Sequence, residues 1–382
     1  MMDFRLTDEQ QMLQDSLADW LSRHAGTQHG IAEGDHWREM AEMGWLGVAL
    51  PAEYGGFGFS AMEQMLVAEA FGRHLVREPY AMFIVLSANL ILTCGTEAQR
   101  QAWLPAIASG ERKFAFAYAE RHSRHRLDVV TTRARRESGG YVLDGEKILV
   151  LGAPQADRLI VSARLDGADD DAGGIGLFIV DPASSGVSAR AYTTLDGGRA
   201  ADIGFRGVRA EALLGAEGSA WPAIQLVADQ AVAMLCAEGV GAMGALLEAT
   251  LQYVKVRQQF GRFIGDFQVI QHRIVDMRIE LDCARAATML AASLIGADEI
   301  TRGKAASAAK VQLDRAARFV GSNAIQLHGG IGMTDELSIG HYFKRLRMLQ
   351  TLLGDADHHR VRFARLSDCR VDGLASTLAA KN

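Results

Sequence analysis

Residues that could bind an anion follow a predicted helix in VRQQFGRFIGDFQ, residues 256–268. Arg257 carries a planar guanidinium group that is always charged and can hold two phosphate oxygens at once. A second stretch, QLHGG, contains Gly329 and Gly330, where a backbone without side chains lets a ligand approach closely. An arginine before a glycine is also typical of a solvated helix end, and a glycine pair of an ordinary turn. These residue types alone are therefore compatible with two interpretations, an anion-binding site and ordinary turns.

Acidic residues that could move a proton or hold a metal stand at two places. Glu238 lies inside the apolar stretch MLCAEGVGAM, and a carboxyl group in such surroundings is a candidate general base. Its alternatives are a hydrogen-bonded structural acid and a residue that lines a substrate pocket. The stretch DADHH, Asp355–His359, resembles a metal-binding sequence. We expect a polar turn or cap there and no metal, because no further ligands cluster with it in the sequence.

Composition excludes several classes of function. The 382 residues are enough for two or three domains. The net charge of -6, without a basic stripe, argues against a nucleic-acid partner. We find no apolar run that approaches the length of a membrane span, and the polar N-terminal stretch MMDFRLTDEQQ predicts a cytoplasmic protein without membrane insertion. The four scattered cysteines, Cys94, Cys236, Cys283 and Cys369, indicate free thiols instead of disulfides or a zinc site.

The elements that must position these residues fall into three regions. Helical periodicity, with capping residues Thr7 and Asp35, predicts an N-terminal α-helical domain over residues 1–112. Short β-like segments separated by glycine, aspartate and proline predict a β-barrel or sandwich over 113–212. Helical periodicity returns over 213–382 and predicts a helix bundle. The predicted fold class is therefore α+β and multidomain, and the long helices of the bundle are expected at residues 222–257, 266–295 and 302–328.

Five stretches identify a family by their order and spacing. The chain resembles the acyl-CoA dehydrogenases over essentially its whole length. This resemblance implies that family's fold, with an N-terminal α-helical domain, a middle β-barrel and a C-terminal four-helix bundle. The stretches are MAEMGWLGVALPAEYGGFGFSAMEQMLVAEAFG, CGTEAQRQAWLPAIASGE, GYVLDGEKILV, VRQQFGRFIGDFQVIQHRIVDM and QLHGGIGMTDE.

The resemblance implies FAD as the cofactor, shared between neighbouring subunits. Arg257 would pair with the pyrophosphate of the FAD that a neighbour binds, and other residues would add contacts. Sharing of this kind implies an oligomer with closed symmetry, either a homotetramer or a heterotetramer with a second acyl-CoA dehydrogenase chain. The further FAD contacts implied for the helical regions are Gln259, Phe260, Gln268, Gln326, Gly329 and Gly330.

The middle region departs from the family pattern. A loop that usually supplies hydroxyl donors to FAD is replaced by AERHSRHRL, residues 119–127, and a Trp–Thr strand by LVL, residues 149–151. We still expect Tyr118, Leu149 and Leu151 to contact the flavin, the strand through its backbone. The arginines of RHSRHR either bind phosphates of FAD or CoA or form an exposed basic loop.

The usual catalytic base is absent. In many family members a glutamate before a Gly-Thr pair takes the α-proton, and the position that corresponds to it here is Leu353. A second family position for the base corresponds to Ala231. Glu238, about two turns further along the same predicted helix, is therefore the remaining candidate for the catalytic residue.

These features leave three functions open. The first is α,β-dehydrogenation of an acyl-CoA thioester in fatty acid metabolism, with electrons passed to an electron-transfer flavoprotein. The second is a catalytically silent subunit, since the chain resembles the branch that includes the small subunit of pimeloyl-CoA dehydrogenase and subunits of heteromeric steroid side-chain dehydrogenases. The third is a flavin enzyme of the same fold with different chemistry.

Overall fold

The computed structural model describes residues 6–24 and 36–367, which form two compact units. The first unit contains residues 6–24, 36–68 and 76–231, and the second contains residues 69–75 and 232–367. Each unit is described by itself. Two positions named above, Asp35 and Cys369, lie outside the described residues.

Helices of the first unit begin where the sequence supplies caps. Thr7 and Gln10 exchange side-chain and backbone hydrogen bonds at the start of the first helix, and Thr96 and Gln99 do the same further on. Each pair satisfies two backbone N–H groups that a helix start leaves without partners. The helices are α1 (Asp8–His24), α2 (His36–Glu42), α3 (Ala61–Arg73), α4 (Asn89–Cys94) and α5 (Glu97–Ala108).

An apolar stretch before α4 has an unexpected form. The sequence predicts an ordinary helix from Met82 to Leu92, but Ala81–Ala88 is a π-helix. The Ser87 hydroxyl donates to the Met82 carbonyl oxygen at 3.0 Å, five residues back. Apolar periodicity does not distinguish these two helix types, because every residue of this segment is buried.

One sheet of eight strands follows the helices of the first unit. Seven strands run in the order β6-β7-β3-β2-β4-β5-β8, and β1 pairs in parallel with β4. Strands β4 and β5 are buried along nearly their whole length and supply core residues such as Ile160 and Phe178. The strands are β1 (Phe114–Ala117), β2 (Arg133–Glu137), β3 (Gly140–Leu151), β4 (Arg158–Arg164), β5 (Ile175–Val180), β6 (Val187–Thr193), β7 (Arg199–Arg209) and β8 (Ala212–Leu213).

Long helices make up most of the second unit. Helix α6 begins in the first unit and continues into the second, and α7 packs along α8. The predicted long helices are present, with ends that differ by at most three residues. The helices are α6 (Trp221–Val256), α7 (Gln268–Ser293), α8 (Glu299–His328), α9 (Ile339–Thr351) and α10 (Ala356–Leu366). A small hairpin of β9 (Gln258–Gln259) and β10 (Arg262–Phe263) separates α6 from α7.

Helix α6 corrects one expectation from the sequence. It is long and apolar enough to cross a membrane, although no such segment was expected, but 83% of its apolar window is buried inside the protein. Burial of this kind is typical of a core helix. Two glycines allow close packing around it: a Cβ atom on Gly72 would lie 1.9 Å from the Glu238 carbonyl oxygen, and one on Gly241 would lie 1.9 Å from that of Glu69.

Candidate functional site

The hairpin after α6 presents polar and aromatic groups to the outside. Arg262 pairs with Gln259, so the turn contains only Phe260 and Gly261. Both have positive φ, +53° and +78°, as a type I′ turn requires. Phe260 is 90% exposed at the tip, in a conformation that a bulky residue rarely adopts. The turn therefore holds an aromatic ring in solvent at a cost in backbone strain.

Arg257 lies at the base of this hairpin and is exposed. Its backbone N–H closes the last turn of α6 onto Tyr253, and its carbonyl oxygen accepts from Ile264 at 2.9 Å. Among residues 6–24 and 36–367, no acidic side chain forms an ion pair with its guanidinium group. The N–H and carbonyl groups of Arg257 are thus both hydrogen-bonded within the chain, while its guanidinium group is available to an anion.

The segment Gln326–Gly330 is joined to the same end of α6. The Tyr253 hydroxyl donates to the His328 carbonyl oxygen at 3.3 Å, and the two rings stack with centroids 4.4 Å apart. Gln326, Gly329 and Gly330 are exposed. A Cβ atom added at either glycine would meet no described atom of this chain within 4 Å. The structure therefore brings the Arg257 and Gln326 regions together and leaves the space beside the glycines open.

Gln268 is the first residue of α7 and is also exposed. It follows Phe267, whose ring is covered by the Arg262 guanidinium group at 4.0 Å. This cation–π contact fixes the hairpin against the start of α7. The predicted FAD contacts of the second unit thus share an exposed, ordered surface around one helix junction.

The expected position of the base has a distinctive backbone conformation but no carboxyl group. Leu353 has a φ of +55° and is 8% exposed, and it is followed by Gly354 with a φ of +113°. A leucine in the left-handed region costs free energy that the surrounding contacts must offset. Leu cannot accept a proton, so this position offers none of the chemistry of the family base.

Two buried side chains hold the Leu353 segment in place. Lys310 Nζ donates to the carbonyl oxygens of Leu349 and Leu352 at 2.6 and 2.5 Å, and His359 Nε2 donates to that of Leu353 at 3.0 Å. Burial lowers the pKa of Lys310 to about 8. Burial, together with nearby Lys310, lowers the pKa of His359 to about 2, so this ring is neutral.

The stretch DADHH is a helix start. The Asp355 side chain accepts from the His358 N–H and caps α10, while His359 Nδ1 lies 3.2 Å from the Ser307 hydroxyl. Asp357 forms an ion pair with Arg360. Their contacts are those of a cap and a packed helix, as the sequence analysis favoured.

Glu238 is paired, which the sequence did not reveal. Its carboxylate accepts from Arg345 Nε at 2.5 Å, and 8% of the residue is exposed. The premise of a lone acid among apolar side chains was wrong, because α9 supplies a cation from more than 100 positions away in sequence. Ala231, the second family position for the base, is fully buried.

A buried ion pair lies behind the predicted flavin-edge residues of the first unit. Lys147 is fully buried and contacts Glu120 at 2.7 Å, and Glu120 also accepts from the N–H groups of Thr131 and Thr132. Burial opposes ionisation of Glu120, but Lys147 and Thr131 outweigh it and lower its pKa to about 2. Tyr118, whose carbonyl oxygen lies 3.4 Å from Lys147 Nζ, is half-buried. This pair fixes the end of the Tyr118 segment against β3.

Strand β3 bulges at the flavin-edge position. Its pairing with β7 is interrupted between Lys147 and Val150, and Leu149 has a φ of +50°. The Leu149 N–H donates to Asp202 at 3.1 Å, and the Ile148 N–H donates to the Ala119 carbonyl oxygen at 2.8 Å. The Leu149 donor is therefore occupied within the chain. Contact of the half-buried Leu149 and Leu151 with a flavin stays a prediction.

The arginines of RHSRHR have different surroundings. Arg121 contacts Glu146 at 3.2 Å and lines a cavity of about 540 Å³ with Arg190 and Arg206. Arg126 is paired with Asp128 at 2.6 Å. Acids thus neutralise two of the three loop arginines, and the choice between phosphate contacts and an exposed basic loop stays open.

The residues present fit FAD in the second unit. An exposed arginine, exposed glutamines and glycines with open space beside them are the groups that bind a dinucleotide pyrophosphate. Sequence reasoning missed Arg345 and Lys310, and it considered His359 only as part of the DADHH stretch; all three support the site without belonging to its FAD motifs. A single lysine in the alanine-rich AASAAKVQL, residues 305–313, was the available signal for one of them.

Family models match the chain in three successive parts. The N-terminal domain of acyl-CoA dehydrogenase matches residues 7–111, the middle domain residues 115–208, and the C-terminal domain residues 219–366. Together they confirm the predicted fold class and its order of helical, β and helical regions. The domain boundaries 112/113 and 212/213 stay a prediction.

Similar proteins cover almost the whole chain. The probable acyl-CoA dehydrogenase YngJ of Bacillus subtilis is 29% identical over 377 residues, which span 95% of this chain and 99% of YngJ. The structure of a variant of the steroid acyl-CoA dehydrogenase Tcur3481-Tcur3483 is 30% identical with a TM-score of 0.84, covering 96% of this chain and 99% of the solved one.

Two further structures bear on cofactor and partner. A chain solved in work on the electron transferring flavoprotein of Acidaminococcus fermentans is 28% identical with a TM-score of 0.89, and covers 96% of this chain and 100% of its own. PigA, solved with FAD and proline, is 25% identical with a TM-score of 0.87, and covers 97% of this chain and 100% of its own.

Proposed function

Because the chain belongs to the acyl-CoA dehydrogenase family, we propose that it is the base-lacking, FAD-binding subunit of a two-chain acyl-CoA dehydrogenase. Members of this family are flavoprotein oxidoreductases that act on the CH–CH bond of acyl-CoA thioesters with FAD. In the proposed assembly, a second dehydrogenase chain supplies the base, and the product is the 2,3-enoyl thioester.

Leu353 is the observation that carries the proposal. Dehydrogenation requires a group that takes the α-proton of the thioester, and a carboxylate is the usual choice. The buried segment around Leu353 keeps its shape through Lys310 and His359, yet ends in a hydrocarbon side chain. A site whose scaffold is intact and whose base is missing is typical of a subunit that serves a neighbour.

The chain's own residues would hold the cofactor without performing the proton transfer. In the second unit, Arg257 would bind the pyrophosphate of the FAD that a neighbour binds, Gln259, Phe260 and Gln268 would add contacts, and Gln326, Gly329 and Gly330 would receive the dinucleotide. In the first unit, Tyr118, Leu149 and Leu151 would contact a flavin ring. When bound, FAD accepts the hydride that leaves the β-carbon of the substrate.

Partners follow from the same relatives. The Tcur3481-Tcur3483 enzyme carries two protein names, which supports a heteromer in which this chain has a second dehydrogenase chain as its partner. The Acidaminococcus structure supports an electron-transfer flavoprotein as the electron acceptor. A cytoplasmic location completes the proposal. It suits the free thiols, since burial raises the pKa of Cys94 to about 11 and that of Cys236 to about 12 and keeps both unreactive.

Glu238 as the base of a self-sufficient dehydrogenase is the second candidate. It is a mostly buried acid on α6, the helix that carries the second family position for a base. Its ion pair with Arg345 weighs against it, because a carboxylate oxygen that would have to reach the substrate is already held by the guanidinium group.

The test uses the full chain expressed alone and loaded with FAD. Under anaerobic conditions, a panel of acyl-CoA thioesters is mixed with the parent and with Leu353→Glu, and bleaching of the flavin absorbance is followed. We expect no bleaching of the parent and bleaching of Leu353→Glu, because the substitution places a carboxylate at the expected base position. Leu353→Gln is the matched control: glutamine has nearly the same shape as glutamate but cannot act as the base, so this variant should remain inactive.

Complete bleaching of the parent alone would contradict the partner-subunit proposal. Loss of that bleaching in Glu238→Gln would then identify Glu238 as the base. Far-UV circular dichroism and flavin content must match among the variants, so that loss of fold is not mistaken for loss of a base.

A further inference from the structure

Three potential metal ligands meet at the junction of α1 and α2, far in sequence from the residues expected to bind FAD. His24 is the last residue of α1, and His36 and Glu39 lie one turn apart at the start of α2. One ligand atom from each side chain lies within 4.8 Å of the other two. His36 is 8% exposed, while the side chains of His24 and Glu39 are 27% and 44% exposed. The His24–His36–Glu39 cluster is therefore partly enclosed, with one side open to solvent.

The tautomer of His24 follows from its backbone partner. His24 Nδ1 lies 2.8 Å from the Trp20 carbonyl oxygen, which can only accept, so Nδ1 donates. Nε2, at the other side of the ring, lies 3.1 Å from Glu39 Oε2. A ring nitrogen and a carboxylate oxygen at this distance can both coordinate one metal ion.

The groups around the cluster resemble the outer shell of a metal site. Metal-binding histidines usually donate their other N–H to a carbonyl or carboxylate oxygen, as His24 does to Trp20. Metal-binding carboxylates usually accept a further hydrogen bond, and Glu39 Oε2 accepts from Trp20 Nε1 at 3.0 Å. The Trp20 ring also stacks on His24 with centroids 4.0 Å apart and meets His36 edge-on at 5.4 Å. Trp20 thus orients all three side chains.

We propose that His24, His36 and Glu39 form a site for a divalent transition-metal ion of the zinc class. Zinc takes imidazole and carboxylate ligands at about 2.0–2.2 Å, which places tetrahedral ligand atoms about 3.3–3.6 Å from one another. The His24–Glu39 distance of 3.1 Å is close to that value, and His36 Nδ1 lies 3.7 Å from Glu39 Oε1. Two histidines and one glutamate leave a fourth position for water on the solvent side.

A hydrogen bond accounts for less of the cluster than a metal does. A hydrogen bond between His24 and Glu39 would join only that pair. The 3.7 Å between His36 Nδ1 and Glu39 Oε1 is too long for a hydrogen bond but lies within the reach of two ligands that share one ion. A metal bonds all three side chains and joins the end of α1 to the start of α2.

The experiment titrates metal into the tag-free full chain after removal of adventitious metal with a chelator. Zn²⁺ binding is measured by calorimetry, and Co²⁺ is used for its visible absorption in four-coordinate sites. Tryptophan fluorescence reports proximity, since Trp20, one of five tryptophans in the chain, stacks on a ligand. We expect one ion per chain in the parent, quenching of tryptophan fluorescence by Co²⁺, and a rise in Tm with Zn²⁺.

Two variants remove ligands without emptying the core. In His24→Ala and Glu39→Gln, Zn²⁺ affinity should fall by roughly 100-fold, since loss of even an outer-shell group costs about 10–100-fold. Matched controls are Glu42→Gln, on the same helix, and His122→Ala, an exposed histidine of the sheet region; both should bind like the parent. Circular dichroism confirms that each variant is folded.

Two results would overturn the proposal. The parent takes up no Zn²⁺ at micromolar concentration, or it binds with the same stoichiometry and affinity as His24→Ala and Glu39→Gln. In either case the cluster holds no metal ion, its contacts are those of helix packing, and any metal uptake comes from other histidines or thiols.

Discussion

Two segments of the second unit handle polar groups in opposite ways. Around Leu353, the Lys310 and His359 side chains are buried, and both donate to backbone carbonyl oxygens. In the hairpin after α6, Arg257 and Phe260 are exposed, and Phe260 occupies a strained backbone conformation. The Leu353 segment is therefore typical of a folded core, and the hairpin after α6 is typical of a binding surface.

The contrast separates structural roles from binding roles. Groups satisfied inside the chain contribute to its stability, and their loss leaves buried atoms without hydrogen bonds. Exposed groups held in a strained geometry contribute little to stability, so their geometry is better explained by a ligand. The proposed function follows this division, with the base position in the structural segment and the FAD contacts in the exposed one.

Lys310→Met should have the largest effect on stability. The substitution keeps the apolar stem but removes the donor to two buried carbonyl oxygens, so the free energy of unfolding should fall by about 2–4 kcal/mol. Urea denaturation followed by circular dichroism measures the change. Lys255→Met, on the exposed end of α6, is the control and should change stability by less than about 0.5 kcal/mol. Equal losses of stability in the two variants would show that the buried Lys310 contributes no more to the fold than an exposed lysine does.

Arg257→Met should show the opposite pattern. Stability should stay within about 0.5 kcal/mol of the parent, because no ion pair is lost among the described residues. FAD affinity should fall by about 10–100-fold, the value of a hydrogen bond to a charged group. Flavin retained after ultrafiltration measures this. Arg257→Lys keeps the charge without the fork and should be intermediate. Retention of FAD equal to that of the parent would show that the arginine has no cofactor role.

His359 should give the Leu353 segment a dependence on acid. Its pKa of about 2 in the folded chain lies below the value of about 6.5 expected when unfolded. The unfolded chain then takes up a proton that the folded chain does not, so stability falls as pH decreases below about 6.5.

Comparison with a variant isolates this contribution from the other histidines. Between pH 7 and pH 5.5, the parent should lose about 1 kcal/mol more than His359→Asn in urea denaturation. The same pH dependence in both proteins would mean that the buried ring does not control the segment.

Phe260→Asn should give the smallest effect, and one of opposite sign. Asparagine tolerates positive φ in a type I′ turn, so the free energy of unfolding should rise by about 0.5–1 kcal/mol while FAD retention falls. Gly261→Ala, at a φ of +78°, is the matched control and should be destabilising. If Phe260→Asn is less stable than the parent, the ring contributes to the stability of the chain, and the hairpin is no longer an example of a surface shaped for a ligand.

Much of the fold could be predicted from the sequence because its signals are local. Apolar periodicity placed α6, α7 and α8 within three residues of their ends, and the Thr7 cap was read from adjacent residues. The π-helix at Ala81–Ala88 was missed, since its residues are buried on all sides and carry no periodic signal.

The candidate site was only partly predictable. Arg257, Gln326 and the glycines stand in motifs, so their exposure agrees with the role that the resemblance implies. Arg345, which pairs with Glu238, and Asp202, which takes the Leu149 donor, come from distant parts of the chain. No local sequence pattern predicts a hydrogen-bond or ion-pair partner that is distant in sequence.

Residue types at fixed spacing were enough to establish the order of helical and β regions, the family motifs and the absence of an acid at residue 353. The pairing of charged groups depended on the three-dimensional packing, which placed Arg345 beside Glu238, buried Lys310 and brought His24 to His36 and Glu39. Burial and electrostatic pairing depend on distances in space, and separation along the chain does not set those distances.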